Sequence, residues 1–406
     1  MKKKVDPVVD EAIETLNMQD GPTRRRLLEG AGLFSATAAA SALIAACTSS
    51  STSSATSAAT SATSAASSAT STAAAVAGNF PSTPPWQFWF VNHVTTNLFF
   101  VPTQNGMADA AKLLGLPGPK WGGSTTSTAA EMVSYLNTAT AAKANGIATT
   151  VINATSFTTP VMNAMNAGIP VISYNADGVV SNGVANIGTN RLCYVGQALY
   201  NSGVAMGNRI KSLISTPGEV VIFIATPGTG NIQPRYDGAA SVLKPAGFTV
   251  KEIATGALTS GEGAAEKAYL TGAKATLKGA FAVDAGSTQF LGPSLASVGL
   301  AGKIPAGGFD LTPGTLAAIN TGQLNFTIDQ EPYLQGFLPV MYMYLFNLTG
   351  GLIVPPNTDT GLTFVTKSNV GPYLNTKTSY EGSGSPPPVL VPRSGPIENP
   401  IATSSV

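Results

Sequence analysis

From Trp86 onward the chain alternates short apolar runs with stretches of helical length, and no other feature narrows its possible folds so far. The runs are WQFWFVNHV (Trp86–Val94), Ala148–Asn153, Pro170–Tyr174, Val184–Ile187, Glu219–Ala225, Thr249–Ala254, Gly279–Val283, Pro305–Asp310 and Asn325–Asp329. Between most of them lie segments such as Ala129–Asn145, Leu192–Ser215, Pro234–Ala246 and Glu262–Leu277. Strands that alternate with helices pair in parallel, because the helix carries the chain back across the sheet. The expected fold class is therefore α/β with parallel sheets. In such sheets a ligand sits beyond the carboxyl ends of the strands.

That rule singles out the polar residues that end the runs: Asn97, Asn153, Asn175, Asp284, Asp310 and Gln330, with Arg235 at the start of a helix. Carboxylates accept hydroxyl protons, amides donate and accept, and a guanidinium donates in a fixed fork. This inventory suits a polyhydroxylated ligand. Taken singly, each Asn or Asp is also an ordinary helix cap or turn former. Phe99 and Phe100, in TNLFFVPTQNG (Thr96–Gly106), raise a related question. Consecutive helix positions point about 100° apart, so the two rings cannot share one core direction, and at least one should face something else. His93, the only histidine, is expected to be a satisfied, hydrogen-bonded residue. Trp121 is expected in core packing or a surface loop.

The first 47 residues read as a targeting segment. Arg24 and Arg25 are followed by Leu27 and Leu28, an apolar small-residue stretch from Ala31 to Ala46, and LIAAC ending at Cys47. This resembles a twin-arginine export signal joined to a lipobox whose Cys47 is acylated, with Glu29 as a departure. The apolar stretch falls short of the roughly 20 residues that span a bilayer. Between Thr48 and Ala77 every residue is Ser, Thr or Ala apart from Val76. Such a segment buries no apolar surface and is expected to be a tether with a reach on the order of 30 Å. The tail from Glu381, rich in Pro, Ser and Gly, is expected to be loop or disordered.

Lys plus Arg is 22 and Asp plus Glu 21, so no strong field draws nucleic acid. With Cys47 lipidated, Cys193 has no partner and reads as a small buried residue rather than part of a disulfide framework. One histidine cannot supply both a catalytic triad and a metal site, so no catalytic residue, metal or cofactor is expected. GTGN (Gly228–Asn231) follows a strand and precedes a helix, but lacks the third glycine of a dinucleotide loop. No acidic residue ends the next strand, where Ala254 sits.

Jointly, several segments resemble the ribose-type periplasmic sugar-binding proteins, the capture components of ABC importers. They are TNLFFVPTQNGMADAAKLLG, INATSFTTPVMNAMNAGIPVISYNAD, PRYDGAASVL, GGFDLTPG and FTIDQEPYLQG, and the resemblance runs from about Trp86 to Val370. It implies two Rossmann-like lobes joined by a three-segment hinge, with a sugar between them. Lobe 1 would be residues 78–189 plus 331–360 and lobe 2 residues 190–330 plus 361–378, with 379–406 as the tail. It also implies that Asn97, Phe99, Phe100 and Asn153 contact ligand from the first lobe, the phenylalanines through the C–H face of a sugar ring. Asn175 holds the place of an acidic residue. Arg235, Asp284, Asp310 and Gln330 would contribute from the second lobe and the hinge. Two departures stand out. The family's Asp-Arg pair is replaced by Asn175 and Ala176, followed by Asp177, and Asp284 stands where Asn is usual. These changes point away from ribose, towards another pentose, a hexose or a small sugar alcohol. The expected protein is a monomeric, lipid-anchored extracytoplasmic binding protein that delivers a monosaccharide or polyol to an ABC permease. The alternative is a sensor that presents its closed form to a receptor.

Overall fold

The computed structural model describes residues 81–181, 184–375, 379–380 and 390–391, all within the unit Gly78–Val406. The expected signal, Cys47, the tether and most of the tail lie outside the described residues.

The first lobe opens with β1 (Phe88–Asn92), a 3-10 turn (Leu98–Phe100) and α1 (Val101–Leu113). It continues through β2 (Lys120–Gly123), α2 (Ala129–Ala141), β3 (Gly146–Val151), α3 (Thr158–Asn166) and β4 (Val171–Asp177). A hairpin of β5 (Val179–Ser181) and β6 (Val184–Asn186) stands apart from the main sheet, and β7 (Tyr194–Gly196) returns to it. The second lobe runs α4 (Leu199–Leu213), β8 (Glu219–Ile224), α5 (Gln233–Leu243), β9 (Thr249–Ala254), α6 (Thr259–Ala273) and β10 (Leu277–Ala282). It proceeds with α7 (Ala285–Ser297), β11 (Ala306–Phe309), α8 (Pro313–Thr321) and β12 (Phe326–Asp329). The chain then recrosses for α9 (Pro332–Leu348) and β13 (Thr358–Asp359), and crosses again for β14 (Thr363–Thr366) and α10 (Gly371–Asn375).

The first sheet has the order β13-β7-β4-β3-β1-β2 and its pairs are all parallel. The second has the order β14-β12-β11-β10-β8-β9, parallel except where β14 meets β12. Alternating side chains send each strand's residues to both faces. Phe88 and Phe90 of β1 pack with Met107, Val340 and Met343 of α1 and α9, while Trp89 and Val91 pack with Met132, Leu136 and Val161 of α2 and α3. In the second lobe Val220, Ile222 and Ile224 face Met206, Ile210 and Leu243, and Val221 and Phe223 face Leu270, Leu291 and Leu295. Burial on both faces is why the central strands read as continuous apolar runs.

Two expectations need correction. Leu192–Ser215 is not one helix: Tyr194–Gly196 pairs with β4 as a strand, and the helix begins at Leu199. The first crossing therefore follows Gly196 rather than residue 189, because β7 completes the first sheet before the chain leaves it. At the start of the expected tail, Ser379 and Tyr380 form a turn with specific contacts, consistent with loop there. Ser379 is buried and its hydroxyl donates to Asp109 Oδ2 (3.2 Å), while Asn105 Nδ2 donates to the Ser379 carbonyl (3.4 Å). The Tyr380 and Tyr333 rings meet edge to face at 5.1 Å.

Helix α9 is pressed onto α1 backbone to backbone. A Cβ on Gly336 would collide with the Thr103 carbonyl, and one on Gly106 with the Tyr333 carbonyl. Thr103 Oγ1 also donates to the Pro332 carbonyl (2.9 Å). Gly336→Ala should therefore destabilise the protein by about 1–3 kcal/mol through forced separation of the helices. Urea unfolding should show a lower midpoint at an unchanged m-value.

Candidate functional site

The carboxyl ends of the strands in both lobes meet at the crossings, and there the backbone is turned hard. Asn175 (φ 62°), Asp310 (φ 76°) and Glu331 (φ 55°) all adopt the left-handed region. Non-glycine residues avoid it unless their surroundings fix them, and such positions cluster at functional sites. Here the turns aim side chains into one buried row. Gln330 Nε2 donates to Asp310 Oδ1 (2.6 Å), and Asn175 Nδ2 donates to Gln330 Oε1 (3.4 Å) and Gln335 Oε1 (3.1 Å). All four side chains are at least 95% buried.

Arg235 lies near this row, on Phe309, the residue before Asp310. It is 2% exposed, its guanidinium stands 4.2 Å from the centre of the Phe309 ring, and Nη1 donates to the Val283 carbonyl (3.0 Å). Its Nε is buried with no acceptor among the described residues. Burial holds the guanidinium below its usual pKa, while the charges of Asp310, Tyr194 and Asp284 act the other way. Asp310 is pushed up to about 6 by burial, against the pull of Arg235 and the Gln330 hydrogen bond. A guanidinium with an orphaned N–H beside a carboxylate is ready for a neutral ligand that both accepts and donates, as a hydroxyl does.

The other sequence-derived candidates are placed differently. Asn97 Oδ1 accepts from Phe99 N (3.0 Å) and so caps the 3-10 turn. Asn153 Oδ1 accepts from Ser156 N (2.7 Å) and Thr155 N (3.2 Å), closing a turn. Asp284 caps α7: Oδ1 accepts from Ser287 N (2.9 Å) and Oδ2 from Ala225 N (2.9 Å). Phe99 and Phe100 are both buried, with ring centres 4.7 Å apart. Phe100 also packs on His93 and Trp121, in an apolar cluster that takes in Ala285 of the second lobe. The expectation that one ring turns away from the core is thus modified, since the core here extends across the cleft. Of the residues flanking Asn175, Ala176 is buried, and Asp177 is bound by Arg191 in an ion pair.

Sequence reasoning missed the groups that hold the lobes together. The GTGN loop, read only as a poor nucleotide motif, bridges them: Gly230 N donates to the Ile152 carbonyl (2.7 Å) and Asn231 Nδ2 lies 3.1 Å from His93 Nε2. A side chain on Gly230 would strike the Gly178 carbonyl. His93 Nδ1 meets Thr150 Oγ1 at 3.2 Å, and burial lowers its pKa to about 3, so the imidazole is neutral and bonded at both nitrogens. At the crossings, Tyr194 Oη donates to the carbonyls of Asn175 and Gln197 (both 3.0 Å), and Gln197 Nε2 donates to the Gly361 carbonyl (3.1 Å). His93 is the satisfied, hydrogen-bonded residue expected from sequence, whereas no local sequence pattern marks Gly230, Asn231, Tyr194 or Gln197 as bridging groups.

Behind Asp284 lies a pair of buried acids. Glu262 accepts from Ser287 Oγ (2.8 Å), and burial pushes both Glu262 and Glu266 up to about 9. At the second crossing burial pushes Asp329 up to about 8. Each folded-state value exceeds the unfolded one, so the native protein holds protons that the unfolded chain has released. The associated stability is complete below about pH 4, the ordinary carboxylate range, and is lost as pH rises towards 9. The melting temperature should accordingly be lower at pH 9 than at pH 5, and Glu266→Gln should flatten that fall. A melting temperature that rises with pH would contradict the assignment.

Comparison with known proteins agrees with this architecture. The family model described as periplasmic binding protein domain matches residues 88–348. The xylose/arabinose-binding protein XylF of Sulfolobus acidocaldarius is 47% identical over 313 residues, which is 75% of this chain and 77% of that protein. Among solved structures, an ABC transporter solute-binding protein from Burkholderia graminis, in complex with D-arabinose, superposes with a TM-score of 0.65 at 22% identity, covering 72% of this chain and 99% of that one. The glucose-galactose binding protein GanP of Geobacillus stearothermophilus gives 0.63 at 21% identity, covering 71% and 100%. The two lobes have the type I periplasmic binding protein fold, and the chain is a binding protein rather than an enzyme. It belongs to the periplasmic binding protein family.

Proposed function

We propose that this protein captures a pentose of the xylose or arabinose kind between its lobes, outside the cytoplasm, and hands it to an ABC importer. The observation that carries the reading is the buried hydrogen-bonded row Asp310–Gln330–Asn175 at the junction of the lobes, with the buried Arg235 guanidinium held on the ring of Phe309, the residue before Asp310. Together these supply one charged donor, one charged acceptor and two amides, which match the alternating donor and acceptor capacity of sugar hydroxyls. The 47% identity to a xylose/arabinose-binding protein supports a pentose over a hexose or polyol. Phe99 and Phe100 would lie under the apolar face of the ring, with Asn97, Asn153 and Asp284 at its edge. A buried hydroxyl without a partner costs roughly 1–3 kcal/mol, so such a site discriminates epimers.

Binding works by closure. The sugar lands on one open lobe, the crossings bend, and the second lobe completes the hydrogen bonds. A ligand shifts that equilibrium only by its preference for the closed form. The bridges from Gly230 and Asn231 to the first lobe belong to this closed arrangement. The mature protein acts as a monomer. It is held at the membrane by acylated Cys47 after twin-arginine export, on the strength of Arg24, Arg25 and the LIAAC motif. Cys47→Ser should release it from the membrane fraction.

The test uses residues 78–406 in a thermal-shift panel of pentoses, hexoses and their alcohols. A ligand at 100 times its Kd adds about 2.7 kcal/mol of stability. D-xylose or L-arabinose should raise the Tm by several degrees. Asp310→Ala should weaken binding at least about a hundredfold, about 2.7 kcal/mol, since it strips the site of its charged acceptor beside a buried guanidinium. A Tm unmoved by every sugar would overturn the reading, and an unchanged Kd for the variant would overturn the role of Asp310.

A further inference from the structure

Gln335 lies one turn into α9, fully buried, and its side chain meets three parts of the junction at once. Oε1 accepts from Asn175 Nδ2 of the first lobe (3.1 Å). Nε2 donates to the Gln330 carbonyl (3.0 Å) and to Gln330 Oε1 (3.1 Å) at the second crossing, and reaches Thr360 Oγ1 (3.3 Å) at the third. Thr360 Oγ1 in turn donates to the Gln330 carbonyl (2.7 Å).

The consequence concerns which end of the Gln330 amide faces the ligand site. A primary amide is nearly symmetric in shape, so its orientation is set by its hydrogen-bond partners. Both groups behind Gln330, Asn175 Nδ2 and Gln335 Nε2, are donors, so the oxygen of Gln330 is drawn towards them. That leaves Nε2 facing the Asp310 carboxylate at 2.6 Å. Reversed, the amide would set its oxygen against that carboxylate and its own N–H groups against Asn175 Nδ2 and Gln335 Nε2, which are also donors. Such mispairing is costly in a buried network.

We propose that Gln335 is a positioning residue: it holds the Gln330 amide with its nitrogen towards Asp310, and through Thr360 ties that orientation to the closed crossings. The ligand-binding arm of this inference rests on the pentose reading. Gln335 needs no contact with the sugar. It acts by keeping Asp310 hydrogen-bonded in one direction, so that the remaining carboxylate lone pairs face the cleft.

The experiment is a double-mutant cycle on residues 78–406. Gln335→Met keeps the length of the side chain and removes its donor and acceptor. It should weaken L-arabinose or D-xylose binding about tenfold or more where Gln330 is present, and less than twofold in a Gln330→Ala background. An equal loss in both backgrounds would mean a merely structural role and would overturn the proposal, as would an unchanged Kd. A second cycle reads the ligand-free Tm of Gln335→Met, Asp310→Asn and the double variant. Among the described hydrogen bonds Gln330 is what joins Asp310 to Gln335, so their effects on Tm should be non-additive, and should become additive once Gln330 is replaced by Ala. Additivity with Gln330 in place would overturn the proposal. A wild-type protein that binds neither pentose would sink the function reading, leaving the ligand-free cycle to decide on Gln335.

Discussion

A guanidinium sealed from water between two lobes sets the terms for everything around it. Burying a charge without compensation costs far more than a domain's whole stability margin, so Arg235 needs partners, and the Nε left without one among the described residues marks where a ligand would serve. Phe309 provides a ring face, Val283 a carbonyl, and Asp310 an opposite charge. Asp310 then needs its own partner, which is Gln330, and Gln330 needs Asn175 and Gln335. The row of hydrogen bonds thus runs from the second lobe through a crossing into the first. Breaking it at one link leaves a buried polar group stranded at the next.

This chain of obligations accounts for three of the five non-glycine residues with positive φ among the described residues, Ser127 and Lys143 lying elsewhere. Asn175, Asp310 and Glu331 are non-glycine residues with positive φ, and they sit at or beside the crossings. A strand end that continued straight would carry its last side chain past the site, whereas the left-handed turn brings it inward. The lobes themselves are built conventionally, with apolar strands covered on both faces, and can hold such strain because the sheets beneath do not yield. The buried polar row lies in the joints and the apolar packing in the layers.

How much of this could be read from sequence depended on what each residue had to do. Strands such as Glu219–Ile224 are buried on both faces and announce themselves as apolar runs. The short strands KWGG at Lys120–Gly123, YVG at Tyr194–Gly196 and TD at Thr358–Asp359, at or next to the sheet edges, have too few apolar residues to do so, and the second was absorbed into a neighbouring helical pattern. The site followed the same logic. Arg235, Asp310, Gln330 and Asn175 were legible because parallel sheets put function at strand ends. Asn97, Asn153 and Asp284 were legible by position too, yet each spends a side-chain oxygen on a cap or turn. Gln335, Asn231 and Gly230 were not legible, since their partners lie far away in sequence: Asn175 is 160 positions from Gln335, and His93 is 138 from Asn231.

The most direct test of the central claim is a crystal structure of residues 78–406 grown with L-arabinose or D-xylose. The account predicts a single sugar at the lobe junction, with hydroxyls within hydrogen-bond distance of both the Arg235 guanidinium and the Asp310 carboxylate. Gln330 Nε2 should still be bonded to Asp310. A sugar bound elsewhere, or a closed junction in which Arg235 and Asp310 touch no sugar atom, would contradict it.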